Sequence, residues 1–154
     1  MNSLRVTCML VGIIFLLGAS PQDATPPKVK VTVVSILASE HDGKIDPCVE
    51  CLAKQIQKLE PRLISFHKGR MTCKSMAVGE SESFDLSDDQ KAIIVVKHGA
   101  DKDNWVGLEV NAPELGSIIY STTCGKFFPL VTRHQTKEHE RLIIAIMVGP
   151  CKGK

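Results

Sequence analysis

The stretch at residues 142–148 reads LIIAIMV, and it decides the fold that the sequence predicts. It contains no polar side chain, so a strand formed here has no face suited to water. Such a strand belongs in the interior of a sheet, with a packed layer on each face. We therefore predict that residues 142–148 form a central strand.

The segment before this strand, residues 127–133, is also apolar, and the polar loop HQTKEHE separates the two. This pattern predicts a β-hairpin. Cys124 lies three residues before the hairpin and Cys151 three residues after it. Because antiparallel pairing brings both cysteines to the same open end, we predict a Cys124–Cys151 disulfide. The alternative is two free thiols in apolar surroundings.

Short apolar segments and frequent turn signals fill the middle of the chain, and they indicate an antiparallel meander. The first segment of the folded region, residues 29–38 (VKVTVVSILA), is rich in β-branched residues and predicts a buried strand. Further strands are predicted at residues 63–68, 71–78, 83–86, 92–98, 105–110 and 117–124.

A single helix is predicted after the first strand. Asp46 is suited to the N-cap and Pro47 to the first helical position. Apolar residues then recur at helical spacing, namely Val49, Leu52, Ala53, Ile56 and Leu59. The predicted fold class is α+β: one N-terminal strand–helix unit followed by a mostly antiparallel β-sheet or flattened sandwich.

The N-terminus has the pattern of an export signal. Arg5 supplies a positive charge, residues 9–17 are apolar, and Gly18 and Ser20 are small residues at the expected cleavage positions. We predict a signal peptide at 1–20, a proline-rich flexible linker at 21–28 and a single α+β domain at 29–151. The protein is then exported, to the periplasm or the extracellular space, without a transmembrane anchor after processing. The alternative is an uncleaved anchor.

Cys48 and Cys51 form a C-x-x-C motif at the start of the predicted helix. A helix N-terminus favours thiolates, and this placement is typical of dithiol oxidoreductases. The segment resembles the active-site turn of thioredoxin-like proteins, and Pro129 before an apolar strand is similar to that family's cis-proline. The resemblance implies a redox pair with Cys48 as attacking thiolate and Cys51 as resolving thiol. The chain departs from that family because no Trp precedes Cys48 and no helix follows the last strand.

The alternative interpretation of the motif is structural. Cys48 and Cys51 could form a bridge with each other, or one of them could bridge to Cys73 and leave a spare thiol. A zinc site needs a second close pair of ligands, and the remaining cysteines are isolated in the sequence. Residues 101–112 lack the Gly and Glu of a calcium loop. We therefore predict neither a metal nor a cofactor.

Composition limits the range of functions. The chain of 154 residues has a formal charge of +2 and only 5% aromatic residues. Such balance does not indicate a nucleic-acid surface. The motifs of serine hydrolases, dinucleotide-binding proteins, phosphate loops and zinc proteases are absent from the sequence.

The chain also resembles small uncharacterised exported bacterial proteins. The resemblance is carried by Ile36-Leu37-Ala38-Ser39, Asp46-Pro47, Leu52-Ala53 and the apolar strand at residues 142–147. It implies a shared fold and no particular activity. We predict an exported non-enzymatic module that binds a protein or an envelope component, or contributes to envelope structure. The alternative is a thiol–disulfide exchange protein that uses Cys48 and Cys51.

Overall fold

The computed structural model describes residues 27–150. The described residues form eight strands, a short 3-10 turn and one α-helix. Their bounds are β1 (Lys28–Ser39), the 3-10 turn (Pro47–Val49), α1 (Glu50–Leu59), β2 (Ser65–Ala77), β3 (Ser81–Asp85), β4 (Lys91–His98), β5 (Trp105–Ala112), β6 (Gly116–Thr123), β7 (Phe127–Gln135) and β8 (Arg141–Pro150).

These strands form two antiparallel sheets that pack face to face. Sheet 1 has the order β2-β1-β8-β7, and sheet 2 has the order β3-β4-β5-β6. The predicted fold class is confirmed: the protein is α+β, mostly antiparallel, with a strand–helix unit at its start. In a meander each strand pairs only with its neighbours in sequence, and this holds for sheet 2. It does not hold for sheet 1, because β8 pairs with β1 as well as with β7.

Strand β8 lies between β1 and β7, which confirms the prediction of a central strand. Ser35 of β1 pairs with Ile144, and Leu130 of β7 pairs with the same residue from the other side. Ile144 and both flanking residues are fully buried. An uninterrupted apolar strand is stable at this position because packed layers cover both faces of sheet 1 and keep its side chains from water.

The main core fills the space between the two sheets. Alternate residues of each strand point inward, as the two-residue period of a strand requires. The buried residues that meet there are Val29, Val31, Val33, Met76, Phe84, Leu86, Ala92, Ile94, Val96, Val106, Leu108, Val110, Ala112, Leu130, Leu142, Ile144, Ile146 and Val148.

A second, smaller core lies on the outer face of sheet 1, under α1. Leu52, Ala53 and Ile56 of the helix pack on the outward residues of β1 and β8, among them Ile36 and Ile143. Leu59, expected on the same buried face, is 65% exposed because the helix ends there. Within residues 27–150 no helix is long and apolar enough to cross a membrane.

The prediction for the region of strand β2 was wrong. The sequence predicted two strands, at 63–68 and 71–78, and the structure has a single strand with a β-bulge. Gly69 and Arg70 together lie opposite Ser35 of β1. The Ser35 hydroxyl accepts a hydrogen bond from the Arg70 amide at 2.8 Å and lies 2.9 Å from the hydroxyl of Ser87. A Cβ at position 69 would come within 2.0 Å of Ser87 Oγ, so glycine is required at the bulge and does not mark a turn.

Candidate functional site

The C-x-x-C motif lies where the sequence placed it, at the start of the helical segment. Cys48 belongs to the 3-10 turn and Cys51 to the first turn of α1, and both side chains are exposed. Neither takes part in a disulfide within the described residues. The structure therefore presents two accessible thiols three residues apart at the start of the helical segment.

The surroundings of Cys48 are fixed by helix capping. Asp46 accepts a hydrogen bond from the Cys48 amide at 3.0 Å, as an N-cap residue does. This backbone hydrogen bond lowers the pKa of the Asp46 carboxyl, although burial acts in the other direction. Asp46 therefore satisfies the Cys48 amide and fixes the start of the helical segment.

Lys54 is the cation of α1 that is nearest to Cys51 in sequence, and it forms an ion pair with Glu50. Its ammonium lies 2.8 Å from Glu50 Oε1, one helical turn earlier. This hydrogen bond lowers the pKa of Glu50 and raises the pKa of Lys54. Lys54 therefore serves mainly as a partner of Glu50.

The remaining cysteines lie in other parts of the fold. Cys73 is exposed on β2, where the buried Thr32 hydroxyl donates to its sulfur at 3.4 Å. Cys124 is half-buried after β6, and burial raises the pKa of its thiol. No disulfide joins the cysteines of the described part of the chain.

The predicted hairpin that should bring Cys124 and Cys151 together is confirmed. Phe127 pairs with Met147, and the Gly125 amide donates to the Val148 carbonyl at 2.7 Å. This hydrogen bond holds the residue after Cys124 against the end of β8. Cys151 itself lies outside the described residues, so the disulfide stays a prediction. The signal peptide and most of the linker, at residues 1–26, lie outside them too.

The outer face of sheet 2 is a feature that the sequence did not single out. No helix covers this face within residues 27–150, and Ile93 and Trp105 on it are 47% and 44% exposed. Between them, Glu109 accepts from Lys97 Nζ at 3.1 Å and from the Ser117 hydroxyl at 3.0 Å. We call this surface the open face.

A groove of about 500 Å³ adjoins the open face at the β5–β6 turn. Ile93, Ala112 and Pro113 give it apolar walls, and Lys91, Asn111 and Glu114 give it polar ones. The alternation of β4 could have indicated an outward-facing apolar residue at position 93. Only the position of α1 on the opposite sheet shows that this residue remains uncovered.

A second feature absent from the sequence prediction is a histidine held between two carboxylates. His134 Nε2 lies 3.3 Å from Asp88 Oδ2, and its Nδ1 lies 3.7 Å from Glu114 Oε1. Its side chain is only 15% exposed. From the sequence we expected His134 and His139 to lie together in the polar loop HQTKEHE. In the structure His134 belongs to β7, and only His139 lies in an exposed turn.

The strand irregularity that orients His134 is a bulge in β7. Val131 pairs with Ile143, but Gln135 pairs with Arg141, so residues 132–134 all lie opposite Leu142. Thr132 stabilises the bulge by donating to the Leu142 carbonyl at 2.7 Å and by accepting from the His134 amide at 3.2 Å. Across the described residues, no group of three or more His, Cys, Asp or Glu side chains is arranged to hold a metal ion.

Comparisons with known proteins found no match: no family model matches the chain, and neither a curated protein nor a solved structure matches it.

Proposed function

We propose that the protein is an exported, non-enzymatic binding module that uses the open face of sheet 2 to bind a protein or an envelope component. The observation that carries the proposal is the contrast between the two outer faces. Helix α1 covers sheet 1 with a packed apolar layer, whereas sheet 2 leaves Ile93 and Trp105 exposed. Exposed aromatic and aliphatic side chains on one face of a sheet are typical of interaction sites.

The open face also offers a fixed polar anchor. Hydrogen bonds from Lys97 and Ser117 lower the pKa of Glu109, so this carboxylate stays ionised at neutral pH. Because its two partners hold it in place, Glu109 loses little conformational freedom when a ligand binds. Apolar side chains on both sides of an oriented carboxylate can provide both affinity and register.

Site-specific photo-cross-linking in cells tests this proposal. A photoreactive residue at Ile93 should give discrete intermolecular products, whose partner is then identified by mass spectrometry as a protein or an envelope polymer. The matched control carries the same residue at Gln55, which is exposed on α1 over the opposite sheet. Equal products from both positions, or only intramolecular products from Ile93, would contradict the proposal.

The second candidate function is thiol–disulfide exchange. It is supported by the exposure of Cys48 and Cys51 as two unbridged thiols at the start of a helix. In such a reaction the Cys48 thiolate would attack a substrate disulfide and form a mixed disulfide. Cys51 would then release the reduced substrate and leave a Cys48–Cys51 disulfide. The experiment that separates the two functions is given in the Discussion.

A further inference from the structure

The edges of the two sheets differ in how well they are protected. Within residues 27–150 the edge strands are β2 and β7 in sheet 1 and β3 and β6 in sheet 2. An edge strand has backbone N–H and C=O groups without a strand partner, so it can pair with another chain. Proteins block such pairing with charges, prolines, bulges or short strands.

Three of these edges carry such features. Strand β2 has the bulge at Gly69 and three cationic side chains, at Lys68, Arg70 and Lys74. Strand β3 has only five residues, including two acidic ones. Strand β7 contains Pro129 and the bulge that orients His134. Pairing of any of these edges with a copy of itself would meet like charges, an interrupted register or a short strand.

Strand β6 lacks all of these features. Its eight residues, GSIIYSTT, include neither a charged residue nor proline. Its pairing with β5 runs without irregularity from Ala112 opposite Gly116 to Trp105 opposite Thr123. The free side of β6 is therefore a straight, uncharged edge of high β-propensity.

We propose that β6 pairs antiparallel with β6 of a second copy of this chain, about a two-fold axis at Ile119. This interface goes beyond the proposed open-face function and does not depend on it. The register places Ile119 opposite Ile119, Ser117 opposite Ser121, and Ile118 opposite Tyr120. Each pair joins residues of the same kind, and no like charges are opposed.

The second copy is favoured as occupant because the strand is complementary to itself in this register. A two-fold interface uses the same surface patch on both subunits, so self-complementarity is its requirement. Ile119 is 69% exposed, the highest value among the large apolar residues described, and the axis gives it an apolar cross-strand partner. Phe128, 41% exposed and stacked on Tyr120 at 4.6 Å, adds apolar surface beside the same edge.

Sedimentation equilibrium on the full mature chain is the first test. The wild type should be a dimer with a dissociation constant measurable between about 1 and 100 μM. Ile119→Lys places two lysines opposite each other and should weaken dimerisation at least about tenfold. The matched control is Leu59→Lys, which introduces the same charge at an apolar residue that is 65% exposed at the end of α1, away from β6, and should leave dimerisation intact. A monomeric wild type, or an Ile119→Lys variant that stays dimeric, would overturn the proposal.

Cysteine cross-linking tests the register independently of affinity. In a chain whose exposed Cys48, Cys51 and Cys73 are replaced by Ser, Ile119→Cys should oxidise to a covalent dimer, because residue 119 faces itself across the axis. Ser121→Cys should not cross-link with itself but should do so when mixed with Ser117→Cys. Cross-linking of Ser121→Cys alone, or none for Ile119→Cys, would exclude this register and with it the proposed interface.

Discussion

His134 Nε2 lies 3.3 Å from Asp88 Oδ2 and so joins the edge strand of one sheet to a turn of the other. The histidine belongs to β7 of sheet 1, and the aspartate belongs to the turn between β3 and β4 of sheet 2. Asp88 adopts a left-handed backbone conformation, with φ of 59°. Aspartate adopts this backbone conformation more readily than most residues. The contact therefore anchors the β3–β4 turn to β7 at one end of the sandwich.

Loss of this contact should destabilise the protein measurably. We expect His134→Ala to lower the free energy of unfolding by about 1 kcal/mol, since a partly exposed pair contributes less than a fully buried one. A double-mutant cycle with Asp88→Ala, measured by urea denaturation, should give a coupling free energy of about 0.5–1 kcal/mol. Glu114→Gln, which alters the longer and more exposed contact, serves as the control and should couple more weakly. A coupling free energy of zero for the His134–Asp88 pair would show that the contact does not stabilise the fold.

Ile144 offers a test of the central strand. Ile144→Asp would bury a carboxylate between the sheets, where residue 144 is completely inaccessible. The cost of several kcal/mol is comparable to the whole stability of an ordinary domain, so we expect the variant to be unfolded by circular dichroism. The same change at the exposed Ile119 should leave a folded protein. A cooperatively folded Ile144→Asp variant would contradict the burial of β8.

The predicted Cys124–Cys151 disulfide can be tested by stability. The bridge would close a loop of about 28 residues, for which chain-entropy estimates give about 3–4 kcal/mol as an upper range. Cys151→Ser should therefore lower the thermal midpoint of the oxidised protein by about 10 °C. Cys124→Ser should have the same effect, and Cys73→Ser, at an exposed site, should have little. An unchanged midpoint for Cys151→Ser would remove the bridge.

Disulfide reductase activity distinguishes the two candidate functions. If the protein is a binding module, the wild type should not reduce insulin with dithiothreitol above the uncatalysed rate. Turnover that disappears in Cys48→Ser would instead establish thiol–disulfide exchange. Cys73→Ser is the matched control, because it removes an exposed thiol outside the motif.

The N-cap carboxylate should make helix stability depend on pH. The pKa of Asp46 is lowered in the folded protein by its hydrogen bond with the Cys48 amide. Its stabilising effect is therefore complete above the unfolded pKa of about 3.9 and is lost as the pH falls through the lower folded pKa. Asp46→Ala should lower the urea midpoint at neutral pH, and its difference from the wild type should shrink in acid. A difference that does not change with pH would argue against this role of the charge.

Much of the secondary structure could be predicted from local patterns. The strand at 142–148, the hairpin before it and the helix after Asp46 follow from apolar runs, a polar loop and capping residues, which act over a few positions. The bulges could not be predicted in this way. Gly69 looks like a turn residue, and its actual role depends on the hydroxyls of Ser35 and Ser87, which are distant in sequence. His134 likewise depends on a bulge opposite Leu142 and on carboxylates from the other sheet.

By itself, the sequence determined the fold class, the central position of residues 142–148 and the placement of the C-x-x-C motif at a helix start. These properties depend on hydrophobic period and on local hydrogen bonding, which neighbouring residues specify. Only the tertiary structure decided that α1 covers sheet 1 and leaves sheet 2 open, that β6 is an unprotected edge, and that His134 contacts Asp88. Those relations depend on the order in which strands pair and on how the two sheets stack, and both are set by packing between segments far apart in the chain.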